Sequence, residues 1–397
     1  MSKDSYCLIS GTIITPHRIL PNSGLLIEGD KIKNLFSMDS FHRYDGMRVF
    51  DVKGACIAPG FIDMHLHGGG GADVMDGTPE AFAAIAEAHA KGGTTSIVPS
   101  TLTSSIQDLM LTITAFEEAR EIKTSGSRLL GLHLEGPYFA PSQKGAQDIR
   151  HIKDPVRDEY LSILDSSPNI IRVSAAPELP GGLELGRELR RRGILASIGH
   201  TDASYDDVLM AIEAGYSHVT HLYSGMSGVH RVRAYRIAGV IESGLLLDDL
   251  TVEIIADGKH LPASLLKLIY NCKGPDRIAL CSDSIRAAGM AEGEFVLGNP
   301  EDGQITVVDE GVAWLPDRTA FAGSVATANL LVRNMVNLAG VHLLDAVKMA
   351  TLTPARILKI DDAKGSIDKG KDADIVVFDE DISIRMTIVE GEIVYRA

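Results

Sequence analysis

Eight short apolar runs, each followed by a stretch with helical spacing, most constrain the folds open to this 397-residue chain. Short buried strands that alternate with helices are typical of α/β proteins built on a parallel sheet. Eight such units predict a (β/α)8 TIM barrel. The runs are Ile57–His65, Thr95–Val98, Leu129–Leu134, Ile170–Ala175, Ile194–Ile198, His218–His221, Val252–Ala256 and Ile278–Cys281.

A doubly wound sheet is the alternative to a barrel. That fold usually opens with a glycine-rich loop that holds phosphate between a strand and a helix. The glycine cluster of this chain, Gly68 to Gly71, follows two histidines and lacks that pattern. The sequence therefore favours the barrel.

Both ends of the chain predict β structure. Short apolar segments separated by glycine-containing turns are typical of strands in a small sheet. We expect residues 1–57 and 358–397 to form one small β-sandwich domain, with the barrel, residues 58–357, inserted between them. The segments are Cys7–Ile14, Gly24–Glu28 and Lys31–Phe36 at one end, and Asp374–Phe378 and Met386–Val394 at the other.

Composition restricts the partners of the chain. The net charge of −15 argues against non-specific nucleic-acid binding, and an anionic substrate would need local cations or a metal. No apolar run reaches the ~20 residues of a membrane span, and the first residues do not resemble a signal peptide. Four scattered cysteines fit a reduced protein. We therefore expect a cytoplasmic enzyme.

Ligand-type side chains lie at the ends of the predicted strands, where barrels carry their active sites. Residues two apart on a strand point to the same side, so both imidazoles of a His-x-His pair face one cavity. Imidazole and carboxylate groups that converge there suit zinc or iron. Any one of these residues has an ordinary structural explanation, but the joint pattern predicts a metal site. The residues are His65, His67, Glu135, His200 and His221, with Asp283 on the last strand.

The chain resembles the N-acetylglucosamine-6-phosphate deacetylases of the amidohydrolase superfamily, and the resemblance covers essentially its whole length. The LEGP and KGAQ stretches, and IADG with a following His, are specific to the deacetylases. The matching stretches are PGFID followed by HLHG (59–68), LHLEGPY (132–138), KGAQ (144–147), GHT (199–201), THLYSGMS (220–227), IIADGKH (254–260), CSDS (281–284), AGS (322–324), TPA (353–355) and GKDADIVVFD (370–379).

The resemblance implies a role for each matching residue. It implies that Glu135, His200 and His221 bind the principal metal, that His65 and His67 permit a second one, and that Asp283 is the catalytic carboxylate. His133 lies on the same strand face as Glu135, and from this position, not from the resemblance, it is assigned behind the ligands or at the substrate carbonyl. The implied substrate contacts are Ala146, Ser224, Gly225, Arg233, His260, Phe321, Ala322 and Gly323, with Arg233 on the phosphate.

Two departures from the family affect sugar specificity. Relatives usually carry Asn-Ala where this chain has Ser224 and Gly225. The segment 230–239 is also one residue longer than in the family, so Arg231 competes with Arg233 for the phosphate. Neither departure changes a predicted metal ligand.

The expected activity is metal-dependent hydrolysis of the acetamide of N-acetylglucosamine 6-phosphate, giving glucosamine 6-phosphate and acetate. It would require one or two divalent ions, zinc or iron, and the resemblance suggests a homodimer. Three alternatives stay open: the galactosamine epimer as substrate, a cyclic amide as substrate, and a scaffold that has lost its chemistry. Two-metal cyclic amidohydrolases often carry a bridging carboxylated lysine on the fourth strand, and the run Ile170–Ala175 has no lysine.

Overall fold

Eight parallel strands in chain order form the centre of the molecule in the computed structural model, which describes residues 5–43, 46–122 and 124–397. The third strand has a short separate beginning at Arg128–Leu129. All eight apolar runs form strands, numbered here from one to eight. They are Phe61–Leu66, Thr94–Pro99, Leu132–Glu135, Ile170–Ala175, Leu195–Ile198, Tyr216–Val219, Thr251–Ile254 and Ile278–Leu280.

The parallel strands pair in two sheets. Strands one and two pair with Arg128–Leu129, and strands three to eight form a continuous six-stranded sheet. A parallel bridge between Ser100 and His133 joins the two sheets on one side. On the other side the Asp283 amide donates to the His65 carbonyl over 2.9 Å, so the segment after strand eight contacts strand one.

Helices follow most of the strands and cover them. The first begins where the sequence places a Thr-Pro-Glu start: the Thr78 hydroxyl accepts from the Ala81 amide, and Pro79 occupies the first turn. Apolar faces of these helices and of the strands share one large core. The helices are Pro79–Lys91, Ile106–Glu121, Arg157–Asp165, Gly182–Arg192, Tyr205–Ala214, Val240–Leu246, Ala263–Lys273, Ala328–Asn337, Leu343–Met349 and Leu352–Ile357.

Both chain ends contribute to one eight-stranded sheet with its own core. The two ends meet where Cys56–Pro59 runs antiparallel to Ile375–Phe378, with Ile57 opposite Val377. This strand continues two residues beyond the predicted domain boundary at residue 57. The other strands of the sheet are Ser5–Ile14, Ile19–Glu28, Lys31–Ser37, Arg48–Asp51, Ile384–Val389 and Glu392–Arg396.

A four-stranded antiparallel sheet follows strand eight, and the sequence did not predict it. Buried Leu297, Val308, Ala313 and Ala322 form a small core on it. The sheet carries Trp314, whose ring lies 4.4 Å from that of Phe321. Its strands are Gly293–Leu297, Gln304–Asp309, Val312–Trp314 and Phe321–Ser324.

Two shorter hairpins complete the strands. One pairs Gly68–Gly69 with Ala72–Asp73, and the other pairs His230–Val232 with Tyr235–Ile237. Short 3-10 turns lie at Met38–Ser40, Val74–Asp76 and Pro141–Gln143. Among the described helices, none combines the length and the apolar character that crossing a bilayer requires.

Candidate metal and active site

The predicted ligands meet at the carboxyl-terminal ends of the parallel strands. His65 and Glu135 lie on strands one and three, whereas His200, His221 and Asp283 follow strands five, six and eight. These last three residues have positive φ angles, of 48°, 27° and 47° respectively. Left-handed backbone is uncommon outside glycine and is concentrated at functional sites, where the surrounding structure must hold it. The fold therefore fixes these side chains at an energetic cost.

One cluster of ligand atoms consists of Glu135, His200 and His221. The Nε2 atom of His221 lies 3.1 Å from Oε1 of Glu135 and 3.2 Å from Nε2 of His200. The Nδ1 atom of His200 hydrogen-bonds the carbonyl of Gln143 over 2.8 Å. Nδ1 must donate there, so in the neutral tautomer Nε2 of His200 carries the lone pair, and this atom is directed at the cluster.

A second cluster uses the same Glu135 with the His-x-His pair. The Nε2 atom of His67 lies 3.2 Å from Oε2 of Glu135 and 3.1 Å from Oδ1 of Asp283. The Nε2 atom of His65 lies 3.4 Å from Oε1 of Glu135 and 3.6 Å from Oδ1 of Asp283. One carboxylate therefore serves both clusters: its Oε1 faces His65 as well as His200 and His221, and its Oε2 faces His67.

The residues present fit a divalent cation. Each cluster brings three ligand atoms within 4.8 Å of one another, from imidazole and carboxylate groups that zinc and iron favour. The fully buried Nε2 atom of His65 makes no hydrogen bond to the described residues. Buried polar atoms are nearly always partnered, and a cation would supply the missing partner.

The carboxylates of the site favour the protonated form of His65 and His67, and these histidines favour the ionised form of Glu135 and Asp283. Burial opposes a charge on His65, but Glu135, Glu253 and Asp283 raise its pKa to about 9. Burial also opposes a charge on His67, and its hydrogen bonds to Asp283 and Glu135 raise the pKa well above the usual value. The same contacts outweigh burial at Asp283 and lower the pKa of its carboxyl. Without a cation, the pKa shifts therefore favour protonated His65 and His67 beside ionised Glu135 and Asp283.

These directions predict that zinc binding releases protons. At pH 7 the protons on His65 and His67 must leave before their nitrogens can bind zinc, because ligands bind metal deprotonated. The apparent zinc affinity should therefore rise as the pH rises from 7 toward 9. Calorimetry in two buffers of different ionisation enthalpy measures the released protons. If no protons were released, or if the double variant His65→Gln/His67→Gln released as many as the wild type, His65 and His67 would not be zinc ligands.

A cavity of about 200 Å³ opens above the two clusters. His260 lies on its wall, with Nδ1 held 2.8 Å from Oδ2 of Asp257 and its ring 4.7 Å from that of Phe321. The four-stranded sheet supplies one side of the cavity. The predicted residues that line it are His67, Glu135, His200, His221, Asp283, Ala146, Ser224, Gly225, His260, Phe321, Ala322 and Gly323.

Three predicted site residues lie outside this lining. His65 is buried directly behind it. His133 is fully buried, with Nδ1 2.8 Å from the Ser100 hydroxyl and Nε2 2.7 Å from the Ser174 hydroxyl. Both ring nitrogens of His133 therefore face serine hydroxyls, and the ring does not line the cavity. Arg233 lies in the turn of the exposed hairpin His230–Val232/Tyr235–Ile237.

Three residues of the site were not singled out from the sequence. Gln147, at the end of the KGAQ stretch, donates from Nε2 to Oε2 of Glu135 over 2.8 Å. Arg172 on strand four and Glu253 on strand seven form a fully buried ion pair beneath the ligands. A charged residue inside an apolar run is a usable signal, since buried charges are normally paired.

Comparison with known proteins identifies a family. The amidohydrolase family matches residues 56–394. A curated relative from Vibrio furnissii, an N-acetylglucosamine-6-phosphate deacetylase, is 33% identical, and the match covers 91% of this chain and 89% of the relative. An N-acetylgalactosamine-6-phosphate deacetylase from Escherichia coli O157:H7 is also 33% identical, over 85% of this chain and 87% of the relative.

Solved structures have the same fold. An N-acetylglucosamine-6-phosphate deacetylase from Pasteurella multocida superposes with a TM-score of 0.92 at 28% identity and covers 99% of this chain and 100% of its own. A mutant deacetylase from Mycobacterium smegmatis, solved in complex with N-acetyl-D-glucosamine-6-phosphate, gives 0.89 at 30% identity, over 98% of this chain and 99% of its own.

Proposed function

The chain belongs to the amidohydrolase family, and from this premise we propose that it hydrolyses the acetamide of N-acetylglucosamine 6-phosphate to glucosamine 6-phosphate and acetate. The observation that carries the proposal is the carboxylate of Asp283 on the cavity wall, 3.1 Å from His67 within the two ligand clusters. A carboxylate next to a metal site is what hydrolysis of an unreactive amide requires.

Glu135, His200 and His221 would hold the first ion, and His65 and His67, with Glu135, a second one. Zinc or iron, when bound, would lower the pKa of water and polarise the acetamide carbonyl. Asp283 would accept the proton of the attacking water as general base. It would then donate that proton to the departing sugar amine as general acid. The lowered pKa of Asp283 keeps it ionised for the first of these steps.

Our proposal for the fold is a closed (β/α)8 barrel, residues 58–357, inserted into a small β-sandwich domain formed by both chain ends. The Ser100–His133 bridge and the hydrogen bond from Asp283 to His65 support closure on both sides. The pairing of Cys56–Pro59 with Ile375–Phe378 supports a shared end domain.

The phosphate would be bound by His260 and an arginine of the exposed hairpin. His260 lines the cavity, whereas Arg231 and Arg233 do not. The hairpin also exposes Val232 and Tyr235, which are 51% and 76% accessible. Exposed apolar side chains of this size favour an interface. Our proposal includes a cytoplasmic homodimer, which the family resemblance suggests, with this hairpin covered by the second copy.

Arg233→Ala is expected to reduce kcat/KM for the phosphorylated sugar by about 10- to 150-fold, as expected for a lost charge-assisted contact of roughly 1.5–3 kcal/mol. Hydrolysis of unphosphorylated N-acetylglucosamine should change little. Kinetics on both sugars measure the difference, and Arg231→Ala is the matched control. If only Arg231→Ala lost kcat/KM for the phosphorylated sugar, Arg231 would be the phosphate-binding residue. Equal wild-type efficiency on both sugars would remove the phosphate from the proposal.

The galactosamine epimer is the second candidate substrate. The Escherichia coli relative supports it, as do Ser224 and Gly225 on the cavity wall, where the deacetylase family usually carries other residues. A cyclic amide is less favoured, because strand four carries Arg172 and no lysine that could be carboxylated.

The proposed function is tested by acetate release from zinc-loaded protein. N-acetylglucosamine 6-phosphate and N-acetylgalactosamine 6-phosphate are compared at equal concentration, with a cyclic amide as a third substrate. We expect the first sugar to give the highest kcat/KM. A higher kcat/KM for the second sugar would change the assigned substrate to the galactosamine epimer. If neither sugar released acetate, the deacetylase proposal would be refuted.

A further inference from the structure

A buried ion pair lies directly beneath the two ligand clusters. Nη1 of Arg172 is 2.7 Å from Oε2 of Glu253, and Nη2 is 2.8 Å from Oε1, so the pair is bidentate. Both side chains are fully buried. Arg172 also donates to the hydroxyls of Ser197 and Thr220 and to the carbonyl of Met64. The guanidinium is therefore fixed by strands one, four, five and seven and the end of strand six.

Glu253 connects this pair to both ligand clusters. Its Oε1 atom lies 2.7 Å from Nδ1 of His65 and accepts the His221 amide over 3.2 Å. With Oε1 as acceptor, Nδ1 of His65 carries the proton. Nε2 is then left without a proton whenever the ring is neutral, and it is this atom that faces Glu135 and Asp283.

We propose that Arg172 and Glu253 are positioning residues that fix the tautomer and orientation of His65, so that the affinity for a second ion depends on this buried pair. The inference rests on the two-ion form of the proposed function. Hydrogen bonds to the far nitrogen of a ligand histidine orient the ring and increase its basicity. In this chain that acceptor is a carboxylate on a different strand, 188 residues away in sequence.

Stability alone gives a weak reason for such a pair. Replacing a buried ion pair by apolar side chains of similar volume is often neutral or stabilising, whereas removal of one partner leaves an unpaired buried charge. A purely structural role therefore predicts that a double replacement is tolerated without effect on metal. A positioning role predicts that metal affinity depends on whether an acceptor faces His65.

Two double variants separate these roles. Arg172→Met/Glu253→Leu removes both charges and the acceptor, whereas Arg172→Met/Glu253→Gln removes both charges and keeps an amide oxygen for Nδ1 of His65. Each full-length protein is stripped of metal and titrated with zinc against a chromophoric chelator. We expect the leucine variant to bind the second zinc about 10- to 100-fold more weakly than the glutamine variant. Equal affinity in the two variants would overturn the proposal.

A measurement on the wild type covers the case in which the leucine variant does not fold. In zinc-loaded protein with ¹⁵N-labelled histidine, long-range proton–nitrogen spectra give the tautomer of each ring, and His65→Gln assigns the His65 signals. We expect a proton on Nδ1 of His65, and a proton on Nε2 would overturn the proposal. A wild type that binds one zinc only also overturns it, together with the two-ion form, whereas acetate release by the same sample tests the deacetylase separately.

Discussion

Asp283→Asn is expected to lower kcat by about 10²- to 10⁴-fold, which is the usual contribution of a positioned acid–base group. Asparagine has nearly the same shape and tolerates the positive φ of this position, but it cannot accept the proton of the attacking water. Zinc content should stay close to that of the wild type, because Glu135, His200 and His221 are untouched. Turnover and elemental analysis of the same sample measure both quantities.

Asp207→Asn is the matched control for this substitution. Asp207 belongs to the capping box of the helix Tyr205–Ala214 and does not line the cavity, so the same loss of charge should leave kcat unchanged. If Asp283→Asn lost zinc and regained activity on reloading, Asp283 would be a metal ligand and the general base would have to be another group.

Glu135→Gln is expected to weaken both metal sites at once, since Oε1 faces His200, His221 and His65 and Oε2 faces His67. An amide keeps the shape of the side chain and removes the charge. A bound metal lowers the activation barrier by several kcal/mol. The loss of metal at limiting zinc should therefore reduce kcat by about 10³-fold. Metal content and turnover, measured over a zinc titration, check this result.

The contrast between Asp283→Asn and Glu135→Gln separates the role of a general base from that of a metal ligand. Asp283→Asn should lose turnover and keep zinc, whereas Glu135→Gln should lose both. A Glu135→Gln protein that still held two ions at wild-type affinity would exclude Glu135 as the shared ligand.

The sequence predicted that the candidate ligands lie close together, because their placement follows from local rules. His65 lies near the end of strand one and His67 directly follows that strand, and Glu135, His200 and His221 lie at the ends of other strands, so a parallel sheet must bring them to one edge. Ala146, His260 and Phe321, which line the cavity, came from family resemblance alone.

The features that the sequence did not predict depend on tertiary structure. Arg172 and Glu253 are 81 residues apart, and only the order and register of the strands bring them together. Arg233 was expected at the cavity because it follows His221 closely. It lies in the exposed turn between the short strands His230–Val232 and Tyr235–Ile237, and its contact with a phosphate stays a prediction. The four-stranded sheet packs mainly through its own core, and only its last strand carries part of the family motif.

That sheet gives the protein an optical reporter. Trp314 is the only tryptophan of the chain, and its ring contacts Phe321, which in turn contacts His260 on the cavity wall. Its emission therefore comes from one position, next to a side chain that lines the cavity. Changes in intrinsic fluorescence can follow cavity occupancy in the unlabelled protein, on the timescale of a stopped-flow experiment.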